Sequence, residues 1–184
     1  MKASKRTAIG RKTISKPLRW MTEAGYSSFA STFHQGAGRP ENPDRAEICA
    51  ASASCLEYDP HWGPKVRKSM RKGNKSTAIS IYVLNVLPPY YRRMALRDLR
   101  LTLAPYGICL IAVRRTLGIP ITRLSPCEDG WLTMTGSFQK TFTWKDITNW
   151  VGAYFKDISL VKQDADTYLI EALHPRKKEG LCSH

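Results

Sequence analysis

The chain has 184 residues, 42% hydrophobic and 24% charged, with 29 Lys and Arg against 15 Asp and Glu for a formal net charge of +14. Those proportions fit one globular domain with a good core. No apolar run reaches the roughly 18 residues that span a bilayer, and the basic N-terminus lacks the apolar stretch of a signal peptide, so a cytoplasmic protein is expected rather than a membrane-bound or secreted one.

Residues 1–15 lack apolar periodicity and predict a basic arm, in which Lys5, Arg6, Arg11 and Lys12 are candidates for contact with nucleic-acid phosphate. Residues 16–174 form the expected domain, and 175–184 a basic flexible tail. Lys16 to Ala24 predicts a short helix with Pro17 in its first turn and Gly25 at its end. Tyr26 to Phe33 is a serine-rich first strand, and Gly36 to Pro43 a loop by composition. Arg45 to Ala53 is a short helix and Ser54 to Tyr58 a second strand. Asp59 to Asn74 is polar and punctuated by Pro and Gly, so it predicts a loop or a frayed helix.

Ala78 to Val113 is the most informative stretch: an apolar run, an amphipathic helix, a Pro-Tyr-Gly turn and a second apolar run. Neither run alternates with polar residues, which predicts two parallel strands buried on both faces and joined by a crossover helix. In the helix, Tyr91, Met94, Ala95, Leu99 and Leu103 can share the dry face, with Arg92, Arg93, Arg97 and Arg100 on the wet one. Ligands of open parallel sheets bind at the carboxyl ends of the strands, which places Asn85 to Pro89 and Arg114 at a binding edge.

Thr116 to Asp129 is a long connection with two prolines, and Trp131 to Phe142 a strand or hairpin. Thr143 and Asp146 have capping-box spacing, followed by Ile147, Trp150, Val151 and Tyr154 at helical intervals. Ile158 to Val161 and Thr167 to Leu173 predict an antiparallel hairpin turning near Asp164. The cysteines Cys49, Cys55, Cys109, Cys127 and Cys182 are odd in number without C-x-x-C spacing, so buried free thiols are expected. His34, His61, His174 and His184 show no metal-ligand spacing, and no metal is expected. Basic blocks at Lys2 to Arg19, Lys65 to Lys75 and Arg176 to Lys178 favour a polyanionic partner, nucleic acid first among them.

Five blocks occur in order along nearly the whole chain: RTAIGRKTISKP from Arg6, GAGR from Gly36, YDPHWGP from Tyr58, YVLNVLPP from Tyr82 and GSFQKTF from Gly136. Together they resemble a bacterial group of class I S-adenosylmethionine-dependent methyltransferases associated with DNA modification, including phosphorothioation. The resemblance implies a three-layer, Rossmann-like α/β fold with a mostly parallel sheet and an antiparallel C-terminal hairpin. It implies S-adenosyl-L-methionine as cofactor, held by Gly36, Gly38 and Asp59 with Tyr82 beside it. Asn85 is the candidate catalytic residue that orients the acceptor, and Gln139 in GSFQ a further candidate near the site. Glycines let backbone approach a ligand closely, and an acid about 20 residues on meets ribose hydroxyls.

The chain also departs from that group. His34 stands where an acid precedes the glycine turn, Pro40 where a third glycine is expected, and Lys75, Ser76 and Thr77 where an acid opens the fourth strand. Leu87-Pro88-Pro89-Tyr90 resembles the Asp/Asn-Pro-Pro-Tyr/Phe motif of amino-methyltransferases, but Leu87 cannot accept a hydrogen bond from an exocyclic amine, and Pro-Pro also serves as a helix start. Three readings follow: a methyltransferase acting on nucleic acid, a non-catalytic nucleic-acid-binding protein on a degenerate methyltransferase fold, and a small-molecule methyltransferase.

Overall fold

A computed structural model describes residues 12–62 and 73–175. Six strands form the main sheet: β1 (Thr32–Gln35), β2 (Cys55–Tyr58), β3 (Lys75–Ile81), β4 (Leu103–Arg114), β8 (Phe155–Gln163) and β9 (Thr167–Pro175), in the order β2-β1-β3-β4-β9-β8. The pairs β1–β2, β1–β3 and β3–β4 are parallel, and β9 and β8 add an antiparallel hairpin. The architecture is therefore the mixed, Rossmann-like α/β fold that the sequence implies.

Strand alternation divides the core into two halves. Ala78, Cys109, Ile111, Val113 and Ile170 point to one side, where helices α3 (Pro89–Thr102) and α4 (Trp144–Gly152) cover them with Leu96, Leu99, Ile147 and Val151. Ile79, Leu110, Ala112 and Leu169 point to the other, beneath α1 (Lys16–Glu23) and α2 (Pro43–Ala50), which contribute Leu18, Met21 and Ile48. The Thr143–Asp146 capping box opens α4 as its spacing predicts, and Gly25, at φ +92°, follows α1.

Several elements differ from expectation. The first strand starts at Thr32 and runs on through His34 and Gln35; of its expected first half only an isolated pairing of Phe29 with Ser52 remains. Its polar end is tolerated because Gln35 Nε2 donates to the Ala95 carbonyl and Gln35 Oε1 accepts from Ser80 Oγ. Helix α2 starts two residues early, since Asn42 caps it by accepting from the Asp44 N–H and Pro43 fits its first turn. Pro88 and Pro89 act as a helix start: Pro89 opens α3.

The faces of α3 are partly exchanged. Tyr91 and Met94 are exposed, while Arg92 is fully buried and Arg100 nearly so. Arg92 reaches a partner outside the helix, donating to Asp129 at 2.6 Å and to the carbonyls of Leu84 and Leu87. Its guanidinium also lies 4.7 Å from the Trp150 ring centroid and 5.2 Å from that of Phe142.

The Thr116 to Asp129 connection contains strand β5 (Leu124–Cys127), which pairs with β6 (Gly130–Thr133) and through it with β7 (Phe138–Gln139) in a small second sheet. The terminal hairpin is longer at both ends than its apolar cores. Cys49 and Cys55 are joined, Cα to Cα 5.2 Å, where free thiols were expected; the end of α2 turns straight back into β2 and brings them together. Cys109 is a buried free thiol, and burial pushes its pKa up. No helix among the described residues is long and apolar enough to cross a membrane.

Candidate active site

The carboxyl ends of β1, β2, β3 and β4 surround a cleft of about 370 Å³. Gly36, Gly38, Asp59, Tyr82 and Asn85 all line it, together with Arg114 and Gln139. Five residues singled out from widely separated parts of the sequence thus meet at one sheet edge. The volume falls within the range of single-ligand sites.

The glycine turn is locked onto the end of β2. The Gly36 N–H donates to the Tyr58 carbonyl at 2.7 Å, and the Gly38 N–H to Asp59 Oδ2 at 3.1 Å. Asp59 Oδ1 accepts from the N–H groups of His61 and Trp62, so one carboxylate organises both loops. Both glycines have positive φ, +70° and +73°. A Cβ on Gly36 would stand 2.2 Å from Val83 Cγ2, so the turn packs directly against the opposite wall.

That contact sets up a comparison with Gly136, which has φ +75° but nothing within 4 Å of a built Cβ. Gly136→Ala carries only the backbone strain of about 1 kcal/mol or slightly more, whereas Gly36→Ala adds a steric clash and is expected to lower stability by roughly 1–2 kcal/mol beyond it. Chemical denaturation of the two variants measures the difference; equal losses would mean that Val83 moves aside freely.

On the facing wall, β3 ends at Ile81 and Leu84–Val86 is a 3-10 turn. A regular strand would turn Tyr82 and Asn85 to opposite sides; the break brings both to the cleft. Tyr82 has φ 60°, a left-handed conformation uncommon outside glycine, and its hydroxyl lies 3.0 Å from Thr167 Oγ1. The Arg114 guanidinium lies over its ring, 4.9 Å from the centroid. Arg39, on the glycine turn, lies over Trp62 at 5.2 Å.

Asn85 is buried, and its side chain joins three segments. Nδ2 donates to the carbonyls of Lys140 at 2.5 Å and Arg114 at 3.3 Å, and Oδ1 accepts from the Arg114 N–H at 3.0 Å. The Lys140 N–H donates back to the Asn85 carbonyl. Asn85 thereby fixes the end of β4 and the segment after β7, including the approach of Gln139, to the cleft floor.

His34 lies on β1 just before the glycine turn, between Glu57 of β2 and Ile79 of β3. It is buried, its Nδ1 has no hydrogen-bond partner among the described residues, and burial reinforced by nearby Arg45 lowers its pKa to about 4. The position at which the sequence resemblance implies an acid is thus held by a buried imidazole. Glu57 is occupied by Arg45, which donates to it from both Nε and Nη2 at 2.5 Å. Lys5, Arg6 and Arg11 lie outside the described residues, as do 63–72 and 176–184, which hold most of the other two basic blocks; Lys12 is exposed. Among the described residues, no three His, Cys, Asp or Glu side chains are grouped to hold a metal ion.

No protein-family model and no curated protein matches this chain. In fold it is similar to Burkholderia thailandensis 1,6-didemethyltoxoflavin-N1-methyltransferase, solved with 1,6-didemethyltoxoflavin and S-adenosylhomocysteine, at TM-score 0.58 and 16% identity over 94% of this chain and 78% of that one. It is similar to the T. thermophilus 16S rRNA N2 G1207 methyltransferase, solved with AdoMet and guanosine, at TM-score 0.52 and 10% identity over 84% of this chain and 37% of that one. A Rhodobacter sphaeroides protein described as a Zn-dependent alcohol dehydrogenase reaches TM-score 0.54 and 14% identity over 95% of this chain and 99% of that one. These likenesses define the fold, that of class I methyltransferases and their Rossmann-like relatives. Because the fold carries more than one chemistry, the reaction must be argued from the site.

Proposed function

We propose that the protein transfers a methyl group from S-adenosylmethionine to a nucleic-acid acceptor. The observation that carries the cofactor half is the Gly36-x-Gly38 turn clamped by Asp59 against the end of β2, facing Val83 across a cleft of about 370 Å³. The cradle is available only because position 36 has no side chain, which is the device a closely approached ligand requires.

In this reading Gly36 and Gly38 let backbone approach the cofactor, and Asp59, with Tyr82 beside it, lines the nucleoside side. When bound, the cofactor supplies an electrophilic sulfonium methyl. The chain's own work is placement and exclusion of water rather than covalent catalysis. Asn85 orients the acceptor as a positioning residue: its hydrogen bonds to Arg114 and Lys140 set the wall on which the acceptor rests. The basic arm with Lys5, Arg6, Arg11 and Lys12 gathers phosphate backbone in the cytoplasm. The bacterial DNA-modification group remains the family reading that the sequence blocks favour.

The second reading, a nucleic-acid-binding protein that no longer binds cofactor, draws on the buried neutral His34 and on Pro40 beside the glycine turn. Calorimetric titration with S-adenosylmethionine and S-adenosylhomocysteine separates the two. Saturable binding is expected, weakened by roughly 1–3 kcal/mol in Asp59→Asn through loss of charge-assisted hydrogen bonds. No heat of binding at millimolar ligand, from protein that melts cooperatively, would replace the enzyme by the binding module.

A further inference from the structure

The outer side of α3 carries an arrangement that neither the core nor the cleft uses. While Ala95, Leu96 and Leu99 face the sheet, Tyr90, Tyr91, Arg93, Met94 and Arg97 stand in solvent, with Tyr90 61% exposed. The Tyr90 and Tyr91 rings meet edge to face at 5.2 Å and present their remaining surfaces outward. Arg93 lies 6.0 Å from the Trp150 ring of α4, and Arg93, Arg97 and Arg100 all act electrostatically on Tyr154, just after α4. Guanidinium groups therefore line the seam between the two helices.

Arg93 and Arg97 stand outside the ion pairs found among the described residues. The ion pairs on this side use other cations: Asp129 is taken by Arg92 and Asp146 by Lys140. Among the described residues, neither Arg93 nor Arg97 has a carboxylate partner. The two stand one turn apart on a single helix, a spacing at which like charges repel. An anion seated between them relieves a repulsion that the fold leaves in place. The neighbouring rings are flat and apolar, on the same face, near the end of α3 that starts two residues after the cleft-lining Leu87.

We propose that this face of α3 is a docking surface for single-stranded nucleic acid. Arg93 and Arg97, backed by Arg100, meet successive phosphates, and Tyr90 and Tyr91 stack on bases. Interleaved cations and aromatic rings suit a polymer that alternates charge with π-faces; a duplex hides its base faces, and an acidic peptide offers the rings nothing comparable. The inference rests on the nucleic-acid half of the proposed function and is independent of methyl transfer.

The test is fluorescence anisotropy of a labelled 20-nucleotide oligo-dT strand, and of a mixed duplex of the same length, with the full chain over a salt series. The variants are Arg93→Gln/Arg97→Gln, Tyr90→Ala/Tyr91→Ala, a control Arg123→Gln/Lys156→Gln that removes two exposed charges outside the basic blocks, and a chain lacking residues 1–11. All substituted positions are exposed, and a melting curve verifies each fold. Both α3 pairs are expected to weaken strand binding by about tenfold, in the presence and absence of the arm, while the control changes it by less than about twofold. The arginine pair should lower the slope of log affinity on log salt by about 1.4, and the tyrosine pair should leave it unchanged. If the α3 variants match the control while removal of the arm abolishes binding, the docking surface is overturned and the nucleic-acid reading survives. Tighter binding of duplex that ignores the tyrosine pair also overturns it. If the parent chain binds neither probe, the docking surface and the nucleic-acid reading fall together, and cofactor titration still decides the enzyme.

Discussion

Arg92→Met is expected to destabilise the protein by about 3–5 kcal/mol, the range for breaking a buried ion pair by removing one partner. Arg92 is wholly buried, whereas the side chain of Asp129 is 32% exposed, so the two halves of the pair are not equivalent. Methionine fills much of the volume and keeps contact with Phe142 and Trp150, but the Leu84 and Leu87 carbonyls lose a donor they share. Asp129→Asn leaves the cation buried with only neutral partners and is expected to cost a similar amount. The double variant should then lose far less than the two single losses added together, because the second substitution removes a charge already stranded by the first. Urea denaturation of the four proteins measures this coupling. Additive losses would show that Arg92 acts mainly as packing. Because the Leu84 and Leu87 carbonyls flank Asn85, Arg92→Lys is the informative conservative change: it keeps charge but loses the fork that holds both carbonyls and Asp129 at once.

A second large effect should appear on acidification. The imidazole of His34 has a pKa lowered from an ordinary 6.5 to about 4, first by burial and then by Arg45. The unfolded chain therefore takes up a proton at this position before the folded one does. Stability contributed by the neutral ring is fully present above pH 6.5 and is lost as the pH falls through that value towards about 4, to a total of roughly 3 kcal/mol. The carboxylates behave differently in range. Asp164, bonded by Lys16, and Asp146, raised by burial but more strongly lowered by hydrogen bonds from Thr143 and Lys140, have pKa values below the ordinary 3.8, so their contributions fade only below that pH. His34→Leu should flatten the stability profile between pH 6.5 and 4 while leaving the steeper fall below it. An unchanged profile in the variant would move the acid-sensitive group elsewhere.

The parts of the fold that were legible in the sequence are those specified by local pattern. Ala78 to Val113 reads as strand, helix and strand because its apolar runs are long and unbroken, and Thr143 with Asp146 marks a helix start by itself. The cleft was legible for a related reason: strand ends are easier to locate than strand contacts, and Gly36, Gly38, Asp59, Tyr82 and Asn85 all fall at strand ends. What escaped notice depends on partners far along the chain. Periodicity assigns any arginine to water, and the sequence separation of 37 between Arg92 and Asp129 conceals the exception. Gln35 looks too polar for a buried strand until Ala95 and Ser80 supply its hydrogen bonds, and His34 beside it is buried as a ring of lowered pKa. Leu124 to Cys127 is interrupted by Pro126 and is a strand only because Trp131 and its neighbours pair with it. Cys49 and Cys55 carry no motif; they meet because a helix ends where a strand begins.

Strand β4 also constrains the order in which the molecule can assemble. One of its edges is closed by β3, the preceding strand, but the other is closed by β9, with Cys109 against Ala172 and Arg114 against Thr167. A chain emerging from the ribosome therefore carries a complete strand-helix-strand unit whose apolar leading edge has no partner until the final hairpin has been made. Loop closure of that length is slow compared with local pairing, and an uncovered strand edge invites pairing with another chain in the interval. Yield of native protein should thus depend more on how promptly residues 155–175 are supplied than on the stability of the finished sheet.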